Sequence, residues 1–237
     1  METFDDLIDT VDTIDRDKMV NHVVFVLDHS GSMSTIAQES LSNLNENIQE
    51  LRNRSKLQDT YVTLIEFNSK VDVILREINV NHIKDFDEYA CSGTTALYDA
   101  VAIGIDTLDN IKELKDENSK HSALLIIMTD GYENASVEFH GNEGAVKIKE
   151  MIEERKKRKN FSVVFFGTDD IDVKKVGDVF NSFASVRFSK VDNSINRDKY
   201  RTVVSEYFTA RDMGYNNMDD YVVNENHTFD KGDINVS

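Results

Sequence analysis

The apolar residues of the chain fall into short unbroken runs that alternate with segments of helical spacing. The runs predict strands that are covered on both faces, at residues 23–27, 122–131 and 161–170. The intervening segments carry apolar residues three or four positions apart, which predicts helices at residues 35–54, 95–114 and 144–157. Buried strands that alternate with helices are typical of a parallel sheet with helices on both faces.

Two further strands, residues 59–68 and 71–78, are separated by a short polar turn and predict an antiparallel hairpin. A short helix near 171–181, a strand at 183–189 and a helix near 195–211 complete the pattern. We therefore predict an α/β fold, a Rossmann-like doubly wound and mostly parallel sheet with one antiparallel edge strand.

The pattern divides the chain into three parts. Residues 1–19 contain an amphipathic helix with its apolar residues on one face, and residues 20–212 form the α/β domain. Residues 213–237 are rich in Asn and Asp with few apolar anchors, and we expect them to form a polar C-terminal tail or arm.

Charge and cysteine content narrow the range of functions. The formal net charge is −17, from 44 acidic against 27 basic residues, and this field repels nucleic-acid backbones. No apolar run approaches the roughly 20 residues of a membrane span, so we expect no membrane partner and a cytoplasmic location. A single cysteine, Cys91, offers neither an internal disulfide nor a zinc site.

The candidate chemistry begins where the first buried strand ends, in the sequence VVFVLDHSGSMS. Asp28, Ser30 and Ser32 occupy alternate positions there, and a second aspartate, Asp130, ends another buried strand. Three explanations compete: a helix cap, a nucleophile, and a cradle for a hard metal ion. Because the carboxyl ends of parallel strands share one edge of the sheet, both aspartates are expected at the same site.

The nucleophile and cap explanations account for fewer of these residues. A nucleophile elbow needs glycines that flank the serine at alternate positions, and this chain lacks them, so we predict that the protein is not an enzyme. A cap accounts for one or two of the residues near Ser30 but not for Asp130. A magnesium cradle uses the hydroxyls of Ser30 and Ser32, with a third hydroxyl from Thr94 or Thr95 in CSGTTALYDA.

Three motifs together carry a family resemblance. DHSGSM, GTTALYDA and IIMTDGYENAS occur in the order seen in von Willebrand factor A (VWA) domains with a metal-ion-dependent adhesion site. The chain resembles the compact cytoplasmic VWA proteins of bacteria and bacteriophages over about residues 20–190. The TAL sequence of the second motif aligns Thr95 with the family's threonine ligand, and Thr94 stands where the family usually has a second glycine.

The resemblance implies a metal site and a function. Ser30, Ser32 and Thr95 would bind Mg²⁺ directly, with Mn²⁺ or Ca²⁺ as alternatives, whereas Asp28 and Asp130 would act through water or, in a closed form, directly. A protein partner would then offer an Asp or Glu carboxylate to the ion. A separate AAA ATPase and a phage or host protein are candidate partners, the location being host cytoplasm if the protein is phage-encoded.

One alternative to this function stays open. The fold would serve oligomer contacts in a structural or assembly protein, and the metal site would only stabilise it.

Residues next to the motifs have less certain roles. Asp99 is either near the metal or simply a favourable acid in the first turn of a helix. Tyr132, Glu133 and Asn134 are expected to rim the site, and His29 is expected to point away from it.

Overall fold

A computed structural model describes residues 18–116, 119–189, 193–225 and 234–236. The predicted helix within residues 1–19 therefore lies almost wholly outside the described residues. In the described part the strands are β1 (Val20–Asp28), β2 (Asp59–Phe67), β3 (Val71–Asn79), β4 (His121–Thr129), β5 (Phe161–Thr168), β6 (Ala184–Phe188) and β7 (Ile234–Val236). The α-helices there are α1 (Ala37–Arg54), α2 (Leu97–Asp109), α3 (Gly141–Lys156), α4 (Val173–Val179), α5 (Asn193–Asp212) and α6 (Met218–Asn224).

The strands form one sheet in the order β3-β2-β1-β4-β5-β6-β7. The five central strands are parallel and β3 runs antiparallel along one edge, which confirms the predicted fold class. The short β7 adds an antiparallel strand at the opposite edge, which the sequence pattern did not predict. Three residues are too few to show the alternation by which a strand is recognised.

Side chains that alternate along the strands feed two separate cores. In β1, Val23, Phe25 and Leu27 pack on one face of the sheet, with α1, α5 and α6. Val24 and Val26 pack on the other face, with α2, α3 and α4. Both faces of the strand are therefore buried, which explains why its sequence is a continuous apolar run.

The segment after Gly214, which we expected to be a polar tail or arm, contributes α6 to the first of these cores. Met218 is fully buried and Tyr221 is 4% exposed. The Asn217 side chain caps α6 by accepting a hydrogen bond from the Asp220 N–H at 2.8 Å. Met218 and Tyr221 are three positions apart, so they lie on one face of α6 and both reach the core.

Arg211 at the end of α5 holds this segment against the sheet. Its guanidinium is 1% exposed and donates to the Asn21 Oδ1 at 2.9 Å, the Tyr215 carbonyl at 3.1 Å and the Asn216 side chain. It also donates to two carbonyls at the amino-terminal ends of β1 and β4. The planar five-donor fork of arginine suits such a set of acceptors, and lysine cannot reproduce it.

We expect Arg211→Ala to lower the free energy of unfolding by about 3–4 kcal/mol, because each buried acceptor left without a donor costs about 1–3 kcal/mol and water reaches some of them. Arg211→Lys should recover only part of this loss. Urea denaturation measures both changes, with Arg201→Ala at an exposed position of α5 as the matched control, expected within about 0.5 kcal/mol of the wild type. A loss below about 1 kcal/mol for Arg211→Ala would contradict the interpretation.

Candidate metal centre

Two aspartates meet where the chain order of the sheet reverses. Asp28 is the last residue of β1, and Asp130 directly follows β4. These strands are parallel neighbours, and from them the chain proceeds outward in opposite directions across the sheet. Such a switch point opens a crevice at the carboxyl ends of the strands, where α/β proteins bind ligands.

The carboxylate of Asp28 is buried and held from two sides. Its Oδ1 accepts a hydrogen bond from the Ser30 N–H at 2.7 Å, and its Oδ2 accepts one from the Thr129 hydroxyl. Burial raises the pKa of Asp28, the charge of Asp130 raises it further, and the hydrogen bonds from Thr129 and Ser30 offset part of the rise. A positive charge at this position would relieve the repulsion between the two carboxylates.

The two serines form a short chain of hydroxyls that leads to Asp130. Ser30 Oγ lies 3.1 Å from Ser32 Oγ, and Ser32 Oγ donates to Asp130 Oδ1 at 2.6 Å. A 3₁₀ helix, Gly31–Ile36, begins here, but the Ser30 side chain makes no capping hydrogen bond to it. The helix-cap explanation therefore does not account for the Ser30 hydroxyl.

Thr95 brings a third loop to the same place. It is 3% exposed, and a Cβ on Gly131 would lie 3.5 Å from its Oγ1 and 4.0 Å from Ser32 Oγ. Both hydroxyls therefore border the small space above Gly131. Thr94 is exposed, and its Oγ1 lies 2.9 Å from Ser69 Oγ. The sequence did not decide whether Thr94 or Thr95 supplies the third hydroxyl. In the structure Thr95 is the threonine that lies beside Ser32 and Gly131.

Backbone contacts fix the three loops to one another. The Gly31 N–H donates to the Gly93 carbonyl at 3.0 Å. Gly93 has a φ of +75°, and a Cβ there would lie 2.4 Å from Ser69 Oγ, so glycine is needed at this position. Asn134 joins the third loop, since its Oδ1 accepts from the Thr95 N–H at 2.9 Å and its own N–H donates to the Thr95 carbonyl at 3.0 Å.

The carboxylate of Glu133, a residue expected to rim the site, forms hydrogen bonds within the domain. Its two carboxylate oxygens accept from the N–H groups of Tyr98, Ala135 and Ser136 at 2.7–2.9 Å, and from the Ser136 hydroxyl at 2.6 Å. The carboxylate thus ties the loop after β4 to the first turn of α2. All four groups that contact it are hydrogen-bond donors. A carboxylate accepts with both of its oxygens, whereas the amide of a glutamine has only one acceptor atom.

Asp99 and Tyr132 also make contacts within the domain. Asp99 accepts from the N–H groups of Val137 at 2.7 Å and Phe139 at 2.9 Å, so it holds the next part of the same loop. The Tyr132 hydroxyl accepts from the Asp172 N–H at 2.8 Å, although its side chain is half exposed. Neither role was visible in the sequence, because each joins segments about 40 residues apart.

The ring of His29 packs against the segment that contains Tyr89 and Ala90. Its Nδ1 bonds to the Ala90 carbonyl at 3.1 Å, and the ring stacks on Tyr89 with centroids 3.8 Å apart. The Tyr89 hydroxyl donates to the Asp28 carbonyl at 2.6 Å, so this tyrosine, which we had not singled out, supports the strand end. Burial lowers the pKa of His29.

The donor set fits a hard divalent cation. Three hydroxyls and two carboxylates provide oxygen ligands of the kind that Mg²⁺ prefers. Among the described residues no group of three or more His, Cys, Asp and Glu is arranged to hold a metal. The candidate site contains two residues of these four types, Asp28 and Asp130, and its other three ligands are hydroxyls. It is therefore compatible with the absence of such a group among the described residues.

Comparison with known proteins agrees with this fold. The family model for the von Willebrand factor type A domain matches residues 22–198, and the chain belongs to this family. VWA domains generally serve as protein-interaction modules. A search of curated protein sequences gave no match.

Solved structures with little sequence identity share the fold. A mutant of the PilB minor pilin from Streptococcus sanguinis is 11% identical with a TM-score of 0.60, covering 83% of this chain and 64% of the pilin. The vWF domain of the type V pili tip protein Mfa5 from Porphyromonas gingivalis is 8% identical with a TM-score of 0.53, covering 81% and 97%. The ArnB paralog VWA2 from Sulfolobus acidocaldarius is 14% identical with a TM-score of 0.50, covering 76% and 44%. This chain thus spans less than two thirds of the pilin and less than half of VWA2.

The described helices include none that is both long enough and apolar enough to cross a membrane.

We expect Glu133→Gln to lower the free energy of unfolding by about 2 kcal/mol, because the amide NH₂ would face an N–H or O–H donor in either orientation. Chemical denaturation measures the loss. Glu138→Gln, an exposed position in the same loop, removes the same charge and should leave the stability within about 0.5 kcal/mol. Equal stability of the two variants would show that the Glu133 contacts contribute nothing.

Proposed function

We propose that the protein is a metal-dependent protein-interaction module that binds a partner carboxylate through Mg²⁺. Ser30, Ser32 and Thr95 would bind the ion, and Asp28 and Asp130 would bind it through water or directly. The observation that carries the proposal is the chain of contacts from Ser30 Oγ to Ser32 Oγ to Asp130 Oδ1, at 3.1 and 2.6 Å.

The hydroxyl spacing supports a shared ion. Neighbouring ligands of an Mg²⁺ octahedron with bonds of 2.0–2.1 Å lie about 2.9 Å apart. The 3.1 Å between Ser30 Oγ and Ser32 Oγ is close to that separation. Gly131 leaves the adjacent space clear of side-chain atoms, with Thr95 Oγ1 at its border.

The charge of the ligands supports the choice of a carboxylate as the partner group. Bound by neutral hydroxyls and water, Mg²⁺ supplies a strongly electrophilic position. When Asp28 and Asp130 bind through water, their buried carboxylates offset only part of the charge of the ion. The remaining electrophilicity favours an Asp or Glu side chain from outside over a neutral group.

The net charge of −17 affects which residues can surround the acidic side chain of the partner. Long-range repulsion disfavours a uniformly acidic partner, but it is screened over about 8 Å at physiological salt. We therefore propose a partner that surrounds its acidic side chain with basic residues.

Several features of the sequence interpretation stay predictions: the absence of enzymatic activity, the cytoplasmic location, and a separate AAA ATPase or a phage or host protein as partner. The structural or assembly role stays the alternative.

Isothermal calorimetry with Mg²⁺ and Mn²⁺ tests the site. We expect the wild type to bind one ion, and Thr95→Val to weaken binding at least tenfold because an isosteric change removes one oxygen ligand. Thr94→Val is the matched control, and its affinity should stay within twofold, since its hydroxyl is engaged with Ser69. Absence of ion uptake by the wild type would refute the proposal.

Capture of partners from lysate separates the proposed function from the alternative. We expect one set of proteins to bind the wild type and Thr94→Val in Mg²⁺, and to be lost in EDTA and with Thr95→Val. Partners that persist in EDTA, together with a lower melting temperature, would instead support the structural or assembly role.

A further inference from the structure

Three ionisable side chains form a hydrogen-bonded row near the amino-terminal ends of β1 and β4. His22 in β1 lies between Glu77 in β3 and His121 in β4. Its Nδ1 is 2.6 Å from Glu77 Oε2, and its Nε2 is 2.9 Å from His121 Nδ1. The His22 side chain is buried, and the ring of Tyr61 in β2 stacks on it with centroids 5.9 Å apart. The row therefore joins strands through groups that ordinarily change protonation between about pH 4 and 7.

The hydrogen-bond geometry determines where the protons of this row lie. An ionised carboxylate can only accept, so His22 Nδ1 donates to Glu77. Nε2 of the neutral His22 ring is then an acceptor, and the single ring proton of neutral His121 must lie on Nδ1 to complete the contact. If His22 takes up a proton, its Nε2 donates instead and His121 Nδ1 accepts. One added proton is therefore accommodated without loss of the contact.

A second added proton does not fit between the two rings. With both rings charged, His22 Nε2 and His121 Nδ1 would each carry a hydrogen, and two donors would face each other at 2.9 Å. The two positive charges would also repel each other. The contact between His22 and His121 can therefore exist only while at least one of the rings is neutral.

The charged groups around the pair determine which ring stays neutral. When His22 is the charged ring, it forms an ion pair with Glu77. Burial lowers the pKa of His121, and the charge of His22 lowers it further. The charge of Arg211 in α5 adds to this decrease, whereas the carboxylates of Glu113 and Glu77 oppose it. His121 is therefore the neutral ring when the pair holds one proton.

Glu77 is fixed on His22 by contacts that do not involve His121. Its φ is +52°, a backbone conformation that residues other than glycine rarely adopt. The Glu77 N–H donates to Thr63 Oγ1 at 3.1 Å, and that hydroxyl lies 3.3 Å from Glu77 Oε1 as a donor. The carboxylate therefore stays beside His22 when the His121 ring leaves.

Glu113 offers a different partner to a charged His121. It is an exposed residue in the 3₁₀ helix Glu113–Lys115, which precedes β4. Ser119 links the two segments, because its hydroxyl donates to the Glu113 carbonyl at 2.7 Å and accepts from the His121 N–H at 3.4 Å. An imidazolium released from His22 would thus be attracted by the Glu113 carboxylate.

We propose that His22 and His121 form a pH-sensitive switch, in which a second proton breaks their contact and transfers the His121 ring to Glu113. In the unfolded chain His121 has the ordinary pKa of about 6.5. Its pKa is lower in the folded protein, so the unfolded chain binds more protons and stability falls as the pH drops below about 6.5. The switch uses no residue of the candidate metal centre and does not rest on the proposed function.

Long-range ¹H–¹⁵N NMR spectra of the histidine rings, recorded in EDTA from about pH 8 to about pH 4.5, test the switch. At the alkaline end we expect the Nδ1–H tautomer for both His22 and His121. The His121 midpoint should lie at least about one unit below that of His82, which is exposed. The backbone amide of Glu113 should shift with the same midpoint as His121. A single joint titration of His22 and His121 with the midpoint of His82 would overturn the proposal.

Glu113→Gln tests the proposed second partner of His121 at an exposed position. We expect the His121 midpoint to fall by about half a unit, because the charged ring loses its carboxylate. Glu153→Gln, at an exposed position of α3, removes the same charge elsewhere and should leave the midpoint unchanged. Equal midpoints in Glu113→Gln and the wild type would show that His121 does not move to Glu113.

Thermal unfolding in EDTA measures the effect of the switch on stability. Between about pH 7.5 and about pH 5 the melting temperature of the wild type should fall. His121→Gln should remove most of that fall, because the amide keeps a donor toward His22 but does not titrate. His82→Gln, which removes an exposed imidazole, is the matched control and should keep the full fall. The same pH dependence in His121→Gln and the wild type would contradict the switch.

Discussion

The pairing of β1 with β4 is the constraint on which the rest of the structure depends. It places Asp28 beside the end of β4, where the Thr129 hydroxyl donates to its carboxylate and Ser32 donates to Asp130. Each strand is buried on both faces, so a slip in register would move polar side chains into one of the two cores. The apolar cores thus determine how closely the oxygen atoms at the strand ends approach one another.

Much of this arrangement could be predicted from local sequence. The central strands are continuous apolar runs, and the predicted strands at 59–68 and 71–78 agree with β2 and β3 to within a residue. Asp28 and Asp130 could be assigned to one site because parallel strands end at a common edge. The choice of Thr95 over Thr94 could not be made from spacing alone, because it depends on the contact between Thr94 and Ser69 across two loops.

The parts that sequence did not reveal are long-range polar contacts. Glu133, Asp99 and Arg211 each contact at least one backbone group in a distant segment, and such contacts leave no periodic pattern. The segment after Gly214 was equally difficult, because its anchoring residues are few. Met218 and Tyr221 nevertheless place two side chains of this segment in the core, and Arg211 holds the turn that precedes them.

The candidate metal centre draws on residues far apart in the chain. Ser32 and Asp130 are 98 positions apart, and Asp28 and Thr129 are 101 apart, yet both pairs are in hydrogen-bond contact. During synthesis on the ribosome, a nascent chain that has produced only β1 to β3 cannot assemble the cluster of hydroxyls and carboxylates. The cluster therefore forms only after β4 has left the exit tunnel and joined the sheet.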